Sequence, residues 1–220
     1  VRHNGVRSRN ARLAAVRSFM RYASTEEPTV LPVAQRVLAI PAKRYAKPML
    51  GFLSREEMQA ILDAPPPDTW TGHRDRALFL TLYNTGARVS EIVGVRVVDV
   101  VLDGSACVHL HGKGRKDRSV PLWKSTAAVI RAWLHANPQL RASAALLPNR
   151  AGHPMTRCNV AQRLALAVHR AVAEQPSLKT RRVSPHTLRH TTAMHLLQSG
   201  VPFNVIALWL GHESTNTTHR

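Results

Sequence analysis

The chain is short of cysteine, of acidic residues and of long apolar runs, and each shortage removes a class of protein. Cys107 and Cys158 are the 2 cysteines among 220 residues. They stand far apart and form no CxxC pair, which argues against a disulfide framework or a zinc ribbon and fits a reducing, cytosolic setting. No apolar stretch approaches the roughly 20 residues that span a bilayer; the densest runs from Val205 to Leu210, so no membrane segment is expected. Asp and Glu number 13 against 31 Lys and Arg, giving a formal charge of +18. Such an excess favours a polyanion, because basic side chains displace its condensed counterions, and nucleic acid is therefore the expected partner.

Several catalytic signatures are missing as well. His186 and His190 stand four apart without the intervening Glu of an HExxH zinc site, and there is no GxSxG nucleophile elbow. His109 and His111 share one side of a strand with no third ligand, so no metal is expected. Lys113 lies in a glycine-rich turn that lacks the surrounding pattern of a P-loop. Neither an internal repeat nor a low-complexity tract occurs.

What is present falls into three stretches. The first 25 residues carry Arg2, Arg7, Arg9, Arg12, Arg17 and Arg21 with no acid. This composition resembles a transit peptide, but Leu13, Val16 and Met20 recur at helical spacing. A helix over residues 10–23 with one buried stripe and one basic face accounts for the same residues. From Thr25 to Leu50, Pro28, Pro32, Pro41 and Pro48 interrupt any periodicity, and the stretch reads as a linker. The chain begins at Val1 without an initiator Met, as a fragment or an alternative start would.

A domain is expected from residue 51 onward. Ser54 followed by Glu57 is a capping box, and the helix it opens stops at Pro65-Pro66-Pro67. A second helix covers Arg74 to Asn84 and breaks at Thr85-Gly86, and a short one carrying Arg88 and Glu91 follows. Cys107 to His111 alternates as a strand, Gly112 to Asp117 is a basic turn, and Arg118 to Leu122 returns as the second strand of a hairpin. Helices are expected at about 124–136, 157–173, 185–199 and 203–210. The fold class is mainly α with a small antiparallel sheet.

The most informative segment is Ser184-Pro185-His186-Thr187-Leu188-Arg189-His190, followed by Leu210-Gly211-His212. Ser184 is placed to cap a helix and Pro185 suits its first position. His186 and Arg189 then stand three apart on one face, and Gly211 is placed to close the next helix just before His212. Such a cluster of cationic and proton-donating groups suits an anion.

Taken with Thr85-Gly86-Ala87-Arg88-Val89-Ser90-Glu91, Gly112-Lys113-Gly114 and Arg118-Ser119-Val120-Pro121-Leu122, in this order, these motifs resemble the tyrosine recombinase, or phage integrase, family. The resemblance covers roughly residues 51–220 as a catalytic domain of the DNA breaking-rejoining type. Residues 1–24 look like a remnant of the N-terminal, SAM-like core-binding domain, and 25–50 like the linker between them. It implies a site-specific recombinase or integrase from a bacterial mobile element, acting in the cytoplasm on double-stranded DNA through a 3′-phosphotyrosine, with no cofactor and no metal. Arg88 and Arg189 would clamp the non-bridging oxygens of the scissile phosphate, and Lys113 would protonate the departing 5′ oxygen. His186 and His212 would donate to the phosphate or shuttle a proton, while Glu91 would orient Arg88. Arg9, Arg12, Arg115, Lys116 and Arg118 are the expected DNA-binding cations.

The family's nucleophilic tyrosine follows the Gly-His motif after a short Ser/Thr-rich segment, which here is Glu213 to Arg220. It is expected immediately after Arg220, and Tyr22, Tyr45 and Tyr83 are expected to be structural. The chain as it stands would then bind phosphate without cleaving. The full-length protein would assemble as a homo-tetramer on DNA, an expectation weakened for these residues by the missing tail. A rival reading is a non-catalytic DNA-binding remnant that occupies recombination sites.

Overall fold

The computed structural model describes residues 5–45, 51–112 and 117–211. It divides into two compact units, Val1–Met49 and Leu50–Arg220.

In the first unit, helix α1 (Val6–Glu26) leads through a 3-10 turn at Pro28–Val30 into helix α2 (Leu31–Leu38). Part of the stretch read as a linker is therefore helical. Pro32 falls in the first turn of α2, where its missing N–H would have had no helical partner, so it starts this helix rather than breaking one. The expected buried stripe of α1 is incomplete: Leu13 and Met20 are half-buried and Val16 is 46% exposed, because the facing helix has only 8 residues. Among the described residues, Ala34 is the one fully buried side chain of this unit. Polar links hold the returning chain on α1. Arg17 donates to the carbonyls of Leu38 and Ile40, and Asn10 exchanges bonds of 2.8 and 3.0 Å with the backbone of Lys43.

The second unit is built around helix α4 (Trp70–Thr85), preceded by α3 (Arg55–Asp63). The predicted capping box of α3 forms, with Ser54 accepting from the Glu57 amide and Glu57 from that of Ser54. Ala77, Leu78, Phe79, Leu80 and Leu82 of α4 are all buried, since neighbours surround it: α3, α6 (Lys124–His135) and α8 (Pro185–Gln198). The short α5 (Val89–Ile92) follows, then an antiparallel sheet ordered β1 (Val100–Val101), β2 (Cys107–His111), β3 (Asp117–Pro121). Val108 pairs with both Val100 and Val120, and Val108, Leu110 and Val120 turn into the core by strand alternation. Helices α7 (Arg157–Ala171) and α9 (Phe203–Leu210) complete the unit. β2 and α9 coincide with the spans expected from sequence. β1 has too few residues to show a period of two. No described helix is long and apolar enough to cross a membrane.

The α4–α8 contact carries polar groups that must find partners because water is excluded. Tyr83 Oη lies 2.6 Å from His195 Nδ1, with the two rings edge-to-face, and Thr192 Oγ1 donates to the Tyr83 carbonyl at 2.6 Å. Tyr83 thus has a structural part in this packing. Burial, and secondarily the charge of Arg55, hold the His195 pKa below its ordinary value of about 6.5. A lowered folded pKa means that the unfolded chain binds the extra proton first. The native state should therefore gain stability as pH rises through the window from that lowered value to about 6.5. Urea unfolding of the native chain between about pH 5 and pH 7 should show this gain, and His195→Gln should flatten it.

Candidate active site

The site forms where two helices end. Gly86 closes α4 in the left-handed conformation at φ 56°, and a side chain there would collide with Leu210 of α9. Ending the helix leaves carbonyls without helical partners, and side chains from α8 and α9 supply them. Thr192 serves Tyr83 as described, Trp209 Nε1 donates to the Asn84 carbonyl at 2.9 Å, and Arg189 Nη1 donates to the Gly86 carbonyl at 2.5 Å. Arg189 also donates from Nη2 to the Leu210 carbonyl at 2.7 Å, at the C-terminus of α9, where a cation is favoured by the helix dipole. One buried guanidinium therefore ties the ends of α4 and α9 together.

Arg88 sits immediately beyond, as the N-cap residue of α5. Its backbone amide donates to Glu91 Oε2 at 2.8 Å and its Nη1 to Glu91 Oε1 at 2.9 Å. Glu91 thus holds both the backbone and the side chain of Arg88. The Arg88 side chain remains 50% exposed, while that of Glu91 is 4% exposed. Burial opposes ionisation of Glu91, but the hydrogen bond from Arg118, the Arg88 amide and the Arg118 charge outweigh it and hold its pKa below the usual carboxylate range.

Burial, and next the positive charge of Arg88, lower the Arg189 pKa to about 10, which leaves it cationic at neutral pH; Glu91 opposes this and Arg118 adds to it. Three guanidinium groups thus act within one small region with one carboxylate among them. A guanidinium has five N–H donors. Arg189 directs two of its nitrogens at carbonyls and Arg88 one of its own at Glu91, so against the described residues both keep N–H groups that an anion beside the cluster could engage.

His186 is exposed in the first turn of α8, whose start is the predicted Ser184 cap and Pro185. Lys113, Arg115, Lys116 and His212 lie outside the described residues. Arg9 and Arg12 belong to the first unit. Arg12 is exposed, but Arg9 donates to the Pro41 carbonyl at 3.0 Å and to Asn10, so part of its donor set serves the fold.

Arg118 departs furthest from expectation. Read as a DNA-binding cation, it is turned inward and its side chain is 12% exposed. It donates from Nη1 and Nη2 to the two oxygens of Glu91 at 3.2 and 2.8 Å, and from Nε to the Trp209 carbonyl at 3.0 Å. The buried carboxylate and an open helix end attract it more than solvent does. On the neighbouring strand His111 stands between Asp117 and Asp99, whose hydrogen bonds raise its pKa. No three His, Cys, Asp or Glu side chains gather as metal ligands among the described residues.

The phage integrase family matches residues 51–220. The chain belongs to this family of tyrosine recombinases. It is 47% identical over 215 residues to y4rC of Sinorhizobium fredii, an integrase/recombinase by name, an alignment covering 97% of this chain and 64% of that protein. It is 34% identical over 213 residues to the tyrosine recombinase XerC of Pelobacter propionicus, covering 97% of this chain and 67% of that one. Among solved structures, the XerH site-specific recombinase bound to a palindromic difH substrate shares the fold, with a TM-score of 0.67 at 19% identity over 94% of this chain and 67% of that one. The chain thus spans about two thirds of the length of these relatives. The fold is mainly helical with a small antiparallel sheet, as the sequence implied.

Removing Glu91 should be costly, since it would leave Arg118 buried without its counter-charge. Glu91→Ala is expected to lower unfolding free energy by about 3–5 kcal/mol. Because the folded pKa of Glu91 is lowered, its contribution is complete above the ordinary carboxylate value of about 4.3 and is lost as pH falls through the folded value. Acid titration followed by circular dichroism should show a shallower loss in Glu91→Gln than in the native chain.

Proposed function

We propose that this chain is the catalytic part of a site-specific DNA recombinase or integrase of a bacterial mobile element, cutting and rejoining DNA through a 3′-phosphotyrosine. The observation that carries the reading is that Arg88 and Arg118 bind one buried carboxylate while Arg189, on the adjoining helix ends, is near enough to feel their charges, in a chain with a formal charge of +18. A region so rich in cations suits a phosphodiester.

The chemistry then follows from charge. As the attacking oxygen adds, phosphorus becomes pentavalent and negative charge grows on its non-bridging oxygens. Donors already fixed by folding stabilise that state more than the ground state. Arg88 and Arg189 are proposed for this task because guanidinium stays protonated and offers paired donors matching two phosphate oxygens. The proposed nucleophile is a tyrosine at the position after Arg220. Its hydroxyl loses its proton to one of the two imidazoles, His186 or His212, its oxygen forms the new bond to phosphorus while the bond to the 5′ oxygen breaks, and Lys113 supplies the proton that the departing oxygen needs. His186 and His212 are assigned to hydrogen bonding and proton transfer at the same phosphate, tasks an imidazole performs near neutral pH. Rejoining reverses these steps with another 5′ hydroxyl, so the bond energy is kept in the protein–DNA ester and no nucleotide is consumed. Residues 1–24 are proposed as part of a second DNA-binding domain, and a tetramer on DNA as the working assembly of the whole protein.

The test compares the 220-residue chain with one continued in frame through the codons that follow Arg220, each mixed with DNA from the ends of its element. The extended chain should form a protein–DNA species that survives denaturant, and the shorter chain a complex that dissociates in salt. Arg189→Ala in the extended chain should slow the covalent step by on the order of 100-fold or more. Salt-sensitive binding with no covalent species in either chain would favour the non-catalytic reading, and full-rate trapping by Arg189→Ala would remove Arg189 from the phosphate.

A further inference from the structure

We infer that Arg118 is a positioning residue, which sets the geometry of the phosphate site through Glu91 and the end of α9 and does not itself touch DNA. The inference rests on the reading that Arg88 and Arg189 hold a phosphate, and it adds a residue that acts on both sides of that site.

Arg118 stands on β3, and its three acceptors come from distant parts of the chain: Glu91 is 27 residues away and Trp209 is 91. The fork formed by Nη1 and Nη2 occupies both carboxylate oxygens, so the carboxyl group cannot rotate without breaking a bond. Those same oxygens receive the Arg88 amide and Nη1. Fixing the carboxylate therefore fixes the direction in which the remaining Arg88 donors point. On the other side, Nε holds the Trp209 carbonyl while Arg189 holds that of Leu210. Two successive carbonyls at the end of α9 are thereby pinned by two different arginines.

Gly211 shows how closely the parts fit. It is in the left-handed conformation at φ 66°, and a Cβ placed on it would lie 2.9 Å from Arg118 Nη1 and 3.1 Å from its Cδ. The absence of a side chain thus serves the turn and also lets the guanidinium pass beneath the residue that precedes His212. With its side chain 12% exposed and all three nitrogens engaged, Arg118 is in poor position to reach a phosphate.

Positioning and plain electrostatics predict different results, and inorganic phosphate separates them. The probe is the arginine Nε–Hε NMR signals of the 220-residue chain during a phosphate titration at constant ionic strength. In the native chain the Arg88 and Arg189 signals should shift saturably, while Arg118 should stay within the small shifts of distant arginines. Arg118→Lys keeps the charge but cannot span three acceptors, and should raise the half-saturating phosphate concentration at Arg88 by about fivefold, a coupling typical of groups in one network. Glu91→Gln removes a negative charge, which by charge alone would tighten phosphate. The inference predicts weaker binding, because the fork loses its anchor. Native-like affinity in Arg118→Lys, tighter binding in Glu91→Gln, or a saturable Arg118 shift as large as that of Arg88 would each overturn the inference. A native chain in which neither Arg88 nor Arg189 responds would overturn the phosphate reading and this inference with it.

Discussion

The site depends on one buried carboxylate held by two arginines. Glu91 lies in the second unit's interior with its side chain 4% exposed, where a charge survives only if its lone pairs are filled. Arg118 and the amide and side chain of Arg88 fill them. Because Arg118 also reaches the Trp209 carbonyl, the carboxylate joins β3, α5 and the end of α9. The same bonds that make the buried charge tolerable therefore fix the geometry of a cationic site.

A second constraint acts alongside. Helices α4 and α9 both end in left-handed glycines, and both leave carbonyls that need donors. Arg189 satisfies one carbonyl beyond each helix end or at it, Gly86 and Leu210, from the buried face of α8. A lysine could not do this and still offer further donors in the same plane, which is a physical reason for arginine here. On the proposed reading, structure and chemistry would draw on the same side chain: two of its nitrogens brace the fold while its charge lies within reach of that of Arg88.

Legibility in the sequence followed how local each cause was. Ser184 and Pro185 at the start of α8, Ser54 and Glu57 at the start of α3, and glycines at 86 and 211 act within a few residues, and their effects stand where the motifs placed them. The order of motifs was sufficient to indicate the family and its fold. The inward turn of Arg118 was not legible, because in a basic hairpin a single arginine carries no mark of which partner it meets, and Trp209 becomes a neighbour only after folding. The helix at Leu31–Leu38 was hidden by prolines, which interrupt a helix interior but are favoured in a first turn. Val16 was expected to be buried because periodicity reports which face is apolar, not how much neighbouring surface covers it.

The central claim is that Arg88 and Arg189 are arranged to share one tetrahedral anion. Diffraction from crystals of the chain soaked in tungstate, a heavy mimic of phosphate visible by anomalous scattering, tests it most directly. The account predicts an anomalous peak within hydrogen-bond distance of both guanidinium groups, with Arg118 still on Glu91 and the Trp209 carbonyl. Tungstate bound elsewhere while the space between Arg88 and Arg189 stays vacant would contradict it.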